Sequence, residues 1–286
     1  MVDCEIVMNL LYSARRRIAQ TVSLLLLNSG WWPGLKLNWI CTPVMQCHAC
    51  PLSWFACPIG IFIHYSSYRI FPFLAVGMVL LVGSLLGRLL CGWVCPIGFL
   101  QDMLYKIPSP KIFLPKWTKN FKYLFLLLFV IILPWLFGPE GWASFCRICP
   151  TAAIESTLPA LIAGTRTMDT ATIVKLAILV VVLIMAVLSS RSFCNLMCPI
   201  GALLAPLNFV SYWIVKRPVS KCIACTVCED KCPTADDPMD RIIKDIPVNR
   251  SLDCIVCHDC QSNCKLGQRE KKQRKAMKKG SSVFAD

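Results

Sequence analysis

The chain has 286 residues, of which 56% are hydrophobic, and a mean hydropathy of +0.58. This apolar share exceeds the roughly 45–50% of an ordinary soluble domain and favours a membrane protein over a soluble enzyme. Nineteen cysteines in so long and apolar a chain disfavour a small secreted disulfide scaffold, and the net charge of +14 indicates membrane topology more than nucleic acid binding.

Four apolar segments, taken in chain order, are predicted to cross the membrane as helices: 18–33, 72–90, 121–138 and 172–190. A span takes about 20 apolar residues, each contributing about 1.5 Å of rise, and the last three segments come close to that length. The first segment is shorter and is interrupted by Asn28.

The basic residues are distributed unevenly around these segments. Lys and Arg cluster before the first segment, between the second and the third, and after the fourth, whereas the two other loops hold few. Because cytoplasmic loops carry an excess of Lys and Arg, both chain termini are predicted to lie in the cytoplasm of a multi-pass membrane protein.

The stretches RLLCGWVCPIG (88–98) and RSFCNLMCPIG (191–201) repeat one pattern at the ends of the second and fourth segments. Each has a C-x3-C pair, whose spacing places two thiols one turn apart on a helix face. Two such pairs, related by pseudo-twofold packing, would present four thiolates, the number that ligates a [4Fe–4S] or [2Fe–2S] cluster. This predicted cluster site is called the inner site, and its cysteines are Cys91, Cys95, Cys194 and Cys198.

Other interpretations of these residues stay open. The four cysteines could be buried structural residues or, on an oxidising face, disulfides. Arg88 and Arg191 beside them would stabilise added negative charge and raise a cluster's potential, or they would anchor the helices on the cytoplasmic side.

A second group of cysteines falls in the two loops on the opposite side, in CHACP (47–51), ACP (56–58) and FCRICP (145–150). Five of these cysteines are candidate metal ligands, with Cys41 as a sixth. The favoured set takes two cysteines from each half, and Cys47 is a further candidate ligand. This predicted outer site consists of Cys50, Cys57, Cys146 and Cys149. A pair of disulfides, or a copper or zinc site, is the alternative, since His48 lies between two of the candidates.

The soluble part carries CIACTVCEDKCP (222–233) and CIVCHDCQSNC (254–264). Both have the C-x2-C-x2-C-x3-C spacing of bacterial two-cluster ferredoxins, in which the fourth cysteine of each run ligates the other cluster. The first ferredoxin site is therefore predicted to be Cys222, Cys225, Cys228 and Cys264. The second is predicted to be Cys232, Cys254, Cys257 and Cys260. A zinc site would leave cysteines of each run unused.

The predicted fold class is an all-α membrane bundle of four transmembrane helices, in two pseudo-symmetric pairs, followed by a small α+β two-cluster ferredoxin domain. The expected divisions are a cytoplasmic N-terminal segment, the membrane domain, the cytoplasmic ferredoxin domain and a basic tail. Their ranges are 1–17, 18–215, 216–265 and 266–286.

No residue set indicates acid–base or nucleophilic catalysis, so no catalytic residue is predicted. Asp102 and Lys106 are four residues apart and are expected to pair on one helix face. Haem would need paired histidines in the spans or a C-x-x-C-H motif, and since neither is recognised in the sequence, no haem is predicted.

The combination of CHACP, GRLLCGWVCPIGFLQD, FCRICP, FCNLMCPIG and a double ferredoxin motif resembles the NapH-type membrane polyferredoxins, whose superfamily includes NosR-like and CcoG-like proteins. The resemblance covers about residues 40–265. It implies four spans in a prokaryotic cytoplasmic membrane, cytoplasmic ferredoxin clusters, and electron exchange between a quinone or cytoplasmic donor and a partner protein. The outer cysteines depart from the nitrate reductase subunits and favour electron transfer across the bilayer.

The predicted function is that of a membrane-bound iron–sulfur electron-transfer subunit, an enzyme only as a component of an oxidoreductase complex such as a quinol dehydrogenase. Two ferredoxin [4Fe–4S] clusters are expected, with one or two further clusters at the membrane faces, and quinone is a candidate ligand. Expected partners are membrane lipid and the other subunits of a redox complex, such as soluble iron–sulfur, molybdenum, flavin or haem proteins, and not nucleic acid. The alternative is an assembly factor that reduces a metal or thiol site in a partner metalloenzyme, and a redox sensor is a third hypothesis.

Overall fold

A computed structural model describes residues 15–25, 57–112, 114–138, 141, 144–165, 167–216, 218–219, 222–264, 266–267 and 270. In these ranges every regular element is a helix. In chain order the helices are α1 (15–25), α2 (Pro58–Ser67), α3 (Phe73–Leu86), α4 (Leu89–Trp93), α5 (Pro96–Leu104), α6 (Trp117–Phe137), α7 (Phe145–Ile148), α8 (150–162), α9 (Thr170–Leu188), α10 (Ser192–Leu196), α11 (Pro199–Phe209), α12 (Val227–Asp230), α13 (Pro238–Ile243) and α14 (Asp259–Ser262).

Two helices, α6 and α9, are long and apolar enough to cross a membrane. The 19 residues of α9 extend over about 28 Å, close to the ~30 Å of a hydrocarbon core. Only 17% of the apolar stretch of α6 and 22% of that of α9 are buried. The core helix of a soluble protein would be mostly buried, so these outward apolar faces fit a lipid environment. The two helices match the third and fourth predicted segments.

The prediction of four transmembrane helices is wrong for the described residues, which contain these two candidates. In the second predicted segment, α3 has 14 residues, about 21 Å of helix, and ends at Gly87. Gly87 has φ +60°, and a Cβ atom there would lie 2.5 Å from Asn208 Oδ1. The chain turns inward at this point because Arg88 donates its amide to Asn208 Oδ1 (2.9 Å). Of the first predicted segment, 26–33 lie outside the described residues.

The prediction of an α+β ferredoxin domain is also wrong. Residues 222–264, called the ferredoxin segment, form the short helices α12, α13 and α14 joined by cysteine-containing loops, with no strand among the described residues. The side chain of Asn249 makes the hydrogen bonds to the 213–215 stretch that a paired strand would otherwise make. Val215 and Val248 share one backbone bond, and the Asn249 amide accepts from Val215 N and donates to Trp213 O. Pro247 has no amide hydrogen to extend the pairing.

The two candidate spans run in opposite directions. Ile112, just before α6, donates its amide to the carbonyl of Leu188 at the end of α9 (2.9 Å). The ferredoxin segment is attached at this end, where Lys122 Nζ donates to Asp253 Oδ1 (2.5 Å). At the opposite end, Ser66 of α2 donates to the carbonyl of Ile131 in α6 (2.9 Å). The fold therefore has a ferredoxin end and a distal end.

Candidate functional site

The structure brings the four cysteines of the inner site together at the ferredoxin end. Burial, followed by the charges of Cys194 and Cys91, raises the pKa of Cys95 to about 12. Burial likewise raises the pKa of Cys198 well above its ordinary value, and all three of the other cysteines contribute to that rise. Each repeat thus supplies two thiols to one buried group.

The helix starts explain how these cysteines are held. Cys95 and Cys198 stand in extended conformation immediately before Pro96 and Pro199, the first residues of α5 and α11. Proline suits the first helical position because its missing amide hydrogen would have no partner there. The Gly201 amide donates to Cys198 Sγ (3.3 Å). Such a helix start places amide donors and the positive end of the helix dipole beside the sulfur, which favours the thiolate.

Each repeat places its arginine against the helix start of the other repeat. A Cβ atom on Gly201 would lie 3.2 Å from Arg88 Nη2, and one on Gly98 would lie 3.0 Å from Arg191 Nη1. Arg191 Nη1 also donates to the carbonyl of Cys91 (2.8 Å). The two arginines are 1% and 0% exposed. This exchange ties the two repeats together around the inner site.

Acidic partners accompany both arginines. Asp102 accepts two hydrogen bonds from Arg191 (2.8 and 2.7 Å) and one from Arg16 (2.5 Å). Burial would raise the pKa of Asp102, but the charges of Arg191 and Arg16 hold it below its ordinary value. The prediction of an Asp102–Lys106 pair missed these two arginines, which lie far away in sequence.

The charges around Arg88 are less balanced. Asp253 lies 4.0 Å from Arg88 Nη1, 3.6 Å from Lys119 Nζ and 2.5 Å from Lys122 Nζ. Three buried cations therefore lie within 4.0 Å of Asp253, and the neighbouring carboxylate of Asp236 is already paired with Arg241. Burying charge without a partner is costly, so the excess positive charge calls for a further anion nearby.

An iron–sulfur cluster fits this environment. Arg88 Nε is buried and has no hydrogen-bond partner in the part of the chain that the structure describes, and Arg88 lies near Cys91, Cys194 and Cys198. Gln101 Nε2 adds a donor to Cys194 Sγ (3.3 Å). A cluster held by four thiolates would supply negative charge and sulfur acceptors to these groups. No three described His, Cys, Asp or Glu side chains could hold a single metal ion together, whereas a cluster takes one cysteine at each iron.

The ferredoxin cysteines line two cavities, one for each predicted site. One cavity is lined by Cys222, Cys225, Cys228 and Cys264. The other cavity is lined by Cys232, Cys254, Cys257 and Cys260. The crossed pairing, in which each run contributes its fourth cysteine to the other site, is therefore the spatial arrangement of these residues.

The loop of the second ferredoxin site lies directly against the loop of the inner site. Gly92, inside the first C-x3-C loop, packs so closely on the carbonyl of Ile255 that a Cβ atom there would clash with it. The neighbouring Trp93 donates its ring N–H to the carbonyl of Val256 (3.0 Å). The first ferredoxin site is more open to solvent, since Cys225 is exposed and Ile223 is 67% exposed.

The stretch Cys254-Ile-Val-Cys257-His258 has the C-x-x-C-H spacing of a haem attachment motif, so the sequence-based statement that no such motif occurs is wrong. In the structure the His258 ring bonds to Gln261 Oε1 through Nδ1 (2.7 Å) and lies edge-on to Trp93. Cys254 and Cys257 share their cavity with the other two cysteines of the second ferredoxin site. This arrangement favours the iron–sulfur interpretation of the motif.

The outer site is described in part. Cys57 and Cys149 each precede a proline at a helix start, as in the inner site. Burial raises the pKa of Cys57 to about 12, and the nearby Cys149 contributes to the rise. Cys146 is exposed. The predicted ligands Cys47 and Cys50, and the further candidate Cys41, lie outside the described residues. The structure therefore brings together two of the four predicted outer cysteines.

Sequence reasoning missed Arg16, which looked like one of three consecutive topology-determining arginines. In the structure Arg16 is buried, whereas Arg15 and Arg17 are exposed. Gln20, one helical turn further on, is also buried, and both side chains contact the carbonyl of Gly92. The four-residue spacing of Arg16 and Gln20 was the available signal for a buried helix face, but no pattern in the sequence identified the partner of that face.

Comparison with known proteins gives one family and several relatives. The 4Fe–4S binding domain family matches residues 68–115 and 172–218, so each match contains one C-x3-C loop of the repeat. An uncharacterized protein of Methanocaldococcus jannaschii, MJ0750, is 29% identical over 202 residues, which cover 66% of this chain and 73% of the relative. The putative electron transport protein YccM of Escherichia coli is 28% identical over 203 residues, 66% of this chain and 54% of YccM.

The regulatory protein NosR of Pseudomonas aeruginosa is 26% identical over 202 residues, 68% of this chain but 27% of NosR. No solved structure matches the chain. The double match explains the internal repeat, because one family pattern occurs once in each half. Together with the paired cysteines and the apolar helices, these findings show a likeness to membrane-associated 4Fe–4S ferredoxin-like proteins related to NosR.

Proposed function

We propose that the protein is a membrane-bound iron–sulfur electron-transfer subunit that exchanges electrons between a cytoplasmic or quinone partner and another subunit of a redox complex. The likeness to YccM, a putative electron transport protein, supports this class of function. The ferredoxin segment would lie in the cytoplasm, because the basic residues 116, 119 and 122 and the basic tail occur on its side of the candidate spans.

One observation carries the proposal: the inner site takes two cysteines from each repeat and touches the second ferredoxin site through Gly92 and Trp93. The sites therefore follow one another in space. The first ferredoxin site faces solvent, the second lies against the inner site, and the outer cysteines lie at the distal end. Such an order suits electron entry at the exposed first site.

The side chains around the inner site suit a group whose charge changes. When bound there, an iron–sulfur cluster accepts and releases single electrons. Cys91, Cys95, Cys194 and Cys198 would hold it, and the buried cations Arg88 and Arg191 would stabilise the more negative, reduced state. The Gly201 amide and the Gln101 side chain would add hydrogen bonds to the cysteine sulfurs.

The distal end would carry the route to the other side of the membrane. The charge of Lys175, in the second turn of α9, opposes the rise in the pKa of Cys149, whereas Leu188 ends the same helix at the ferredoxin end. The 13 residues between them correspond to about 20 Å of helix. A site built on Cys57 and Cys149 would shorten the distance that electrons must cross, and a quinone is the other candidate acceptor there.

Proteoliposomes that enclose ferricyanide test this proposal. With dithionite added outside, the wild-type protein is expected to bleach ferricyanide faster than protein-free vesicles do. The double variant Cys91→Ala/Cys194→Ala should bleach it no faster than empty vesicles, whereas Cys4→Ala, outside every predicted site, should behave like the wild type. Equal rates for the double variant and the wild type would contradict the proposal.

A further inference from the structure

Arg16 is the middle one of three consecutive arginines, yet it differs from its neighbours. Arg15 and Arg17 are exposed, whereas the Arg16 side chain is 9% exposed. A surface arginine that only sets membrane orientation has no reason to be buried. The position of Arg16 therefore indicates a structural task within the protein.

The guanidinium of Arg16 bonds to three different parts of the molecule. Nη2 donates to Asp102 Oδ2 in α5 (2.5 Å), and Nη1 donates to Asp259 Oδ2 at the start of α14 (2.6 Å). Nε donates to the carbonyl of Gly92, inside the first C-x3-C loop (3.2 Å). One side chain thus connects the first repeat, the inner-site loop and the ferredoxin segment.

These partners bracket the contact between two cysteine sites. Gly92 packs on Ile255, and Asp259 lies between Cys257 and Cys260 of the second ferredoxin site in sequence. Arg16 is buried, and its two carboxylate partners, Asp102 and Asp259, are partly buried. The three groups therefore form a clamp across the contact between the inner site and the second ferredoxin site.

We propose that Arg16 is a positioning residue for electron transfer, which holds the loop of the second ferredoxin site against the loop of the inner site. This inference rests on the proposed electron-transfer function. Arginine suits the role because its planar fork can bond to two carboxylates and a carbonyl at once, whereas lysine offers a single charged nitrogen. The Trp93–Val256 bond and the packing of Gly92 are further direct contacts between the two loops, and Arg88 and Asn208 hold the neighbouring 251–254 stretch through its carbonyls.

The first test is hydrogen–deuterium exchange of the purified full-length protein, which reads the clamp without any electron transfer. In Arg16→Gln, amides in 91–95 and 254–260 are expected to exchange faster than in the wild type. Arg17→Gln, which changes an exposed neighbour, should leave both loops as in the wild type. Unchanged exchange of both loops in Arg16→Gln would overturn the proposal.

The second test follows reduction of the clusters by freeze-quench electron paramagnetic resonance after mixing with dithionite. Arg16→Gln should reduce its ferredoxin clusters at the wild-type rate, while the inner-site signal appears about tenfold or more later, since small misplacements strongly slow reactions that depend on alignment. If the inner-site signal of Arg16→Gln appears as early as that of the wild type, the proposal is overturned. If Arg16→Gln is produced unfolded, Arg16→Lys is measured instead, and the same delay of the inner-site signal is expected with a smaller magnitude.

The two hypotheses fail in different ways. If the wild type has no inner-site signal, the proposed function fails, and the exchange experiment still decides whether Arg16 clamps the two loops. If the wild type has that signal and Arg16→Gln alters neither exchange nor timing, the clamp fails while the electron-transfer function stands.

Discussion

The inner and the outer site begin with the same four residues in different surroundings. Cys-Pro-Ile-Gly occurs at 95–98 and 198–201 in the inner site, where both glycines pack against an arginine of the other repeat. The same residues at 57–60 begin α2, and no atom in the described part of the chain lies within 4 Å of the space that a Cβ atom on Gly60 would fill. The motif thus places a cysteine at a helix start in both sites, and the two sites differ in how closely other residues pack on its glycine.

The charges differ in the same way. Two fully buried arginines flank the inner site, whereas Lys175 and Glu155, of opposite sign, act on the outer cysteines. A cluster in the inner site would therefore gain more from the surrounding charge when it becomes more negative. This comparison predicts that substitutions in the inner motif lower the free energy of unfolding strongly, whereas matching substitutions in the outer motif change it little.

The largest effect is expected from Arg88→Met. Removing a fully buried cation next to three of the inner cysteines should lower the free energy of unfolding by about 3–5 kcal/mol and release the inner cluster. Thermal unfolding in detergent and iron content per chain measure the two effects. Lys244→Met is the control, because Lys244 pairs with Asp240 at an exposed position and its loss should cost less than about 1 kcal/mol. An Arg88→Met protein with wild-type iron and stability would contradict the role given to the exchanged arginines.

A smaller effect is expected at the glycines of the repeated motif. In Gly98→Ala the new methyl group would meet Arg191 Nη1 at 3.0 Å, and Arg191 is fixed by two bonds to Asp102, so a loss of about 1–3 kcal/mol is expected. Gly60→Ala meets open space in a helix and should be neutral or stabilising by up to about 1 kcal/mol. Thermal unfolding of the two variants side by side decides the matter, and equal shifts would show that the two motifs are packed alike.

The features that sequence predicted are those set by short-range spacing. The C-x3-C pairs and the Cys-Pro helix starts depend on residues a few positions apart, and α6 and α9 are continuous apolar runs. Helix geometry alone relates such residues. The grouping of the inner cysteines followed from the repeat, which the double family match also shows.

The features that sequence missed depend on distant contacts. The helix α3 stops at Gly87 because of Asn208, which is more than a hundred residues away. The ferredoxin strands are replaced by side-chain bonds of Asn249 to the 213–215 stretch. Arg16 bonds to partners 86 and 243 residues away. In each of these cases the contacting residue lies far away in the sequence, so neither composition nor local spacing could identify it.

The central claim is that one cluster is held between the two repeats, and iron and acid-labile sulfide per chain test it most directly. The protein would be purified without oxygen, beside the double variant Cys91→Ala/Cys194→Ala. We expect about 12 to 16 iron atoms per chain in the wild type and about 2 to 4 fewer in the double variant. About 8 iron atoms in both proteins would be explained by the two ferredoxin sites alone and would contradict the shared inner cluster.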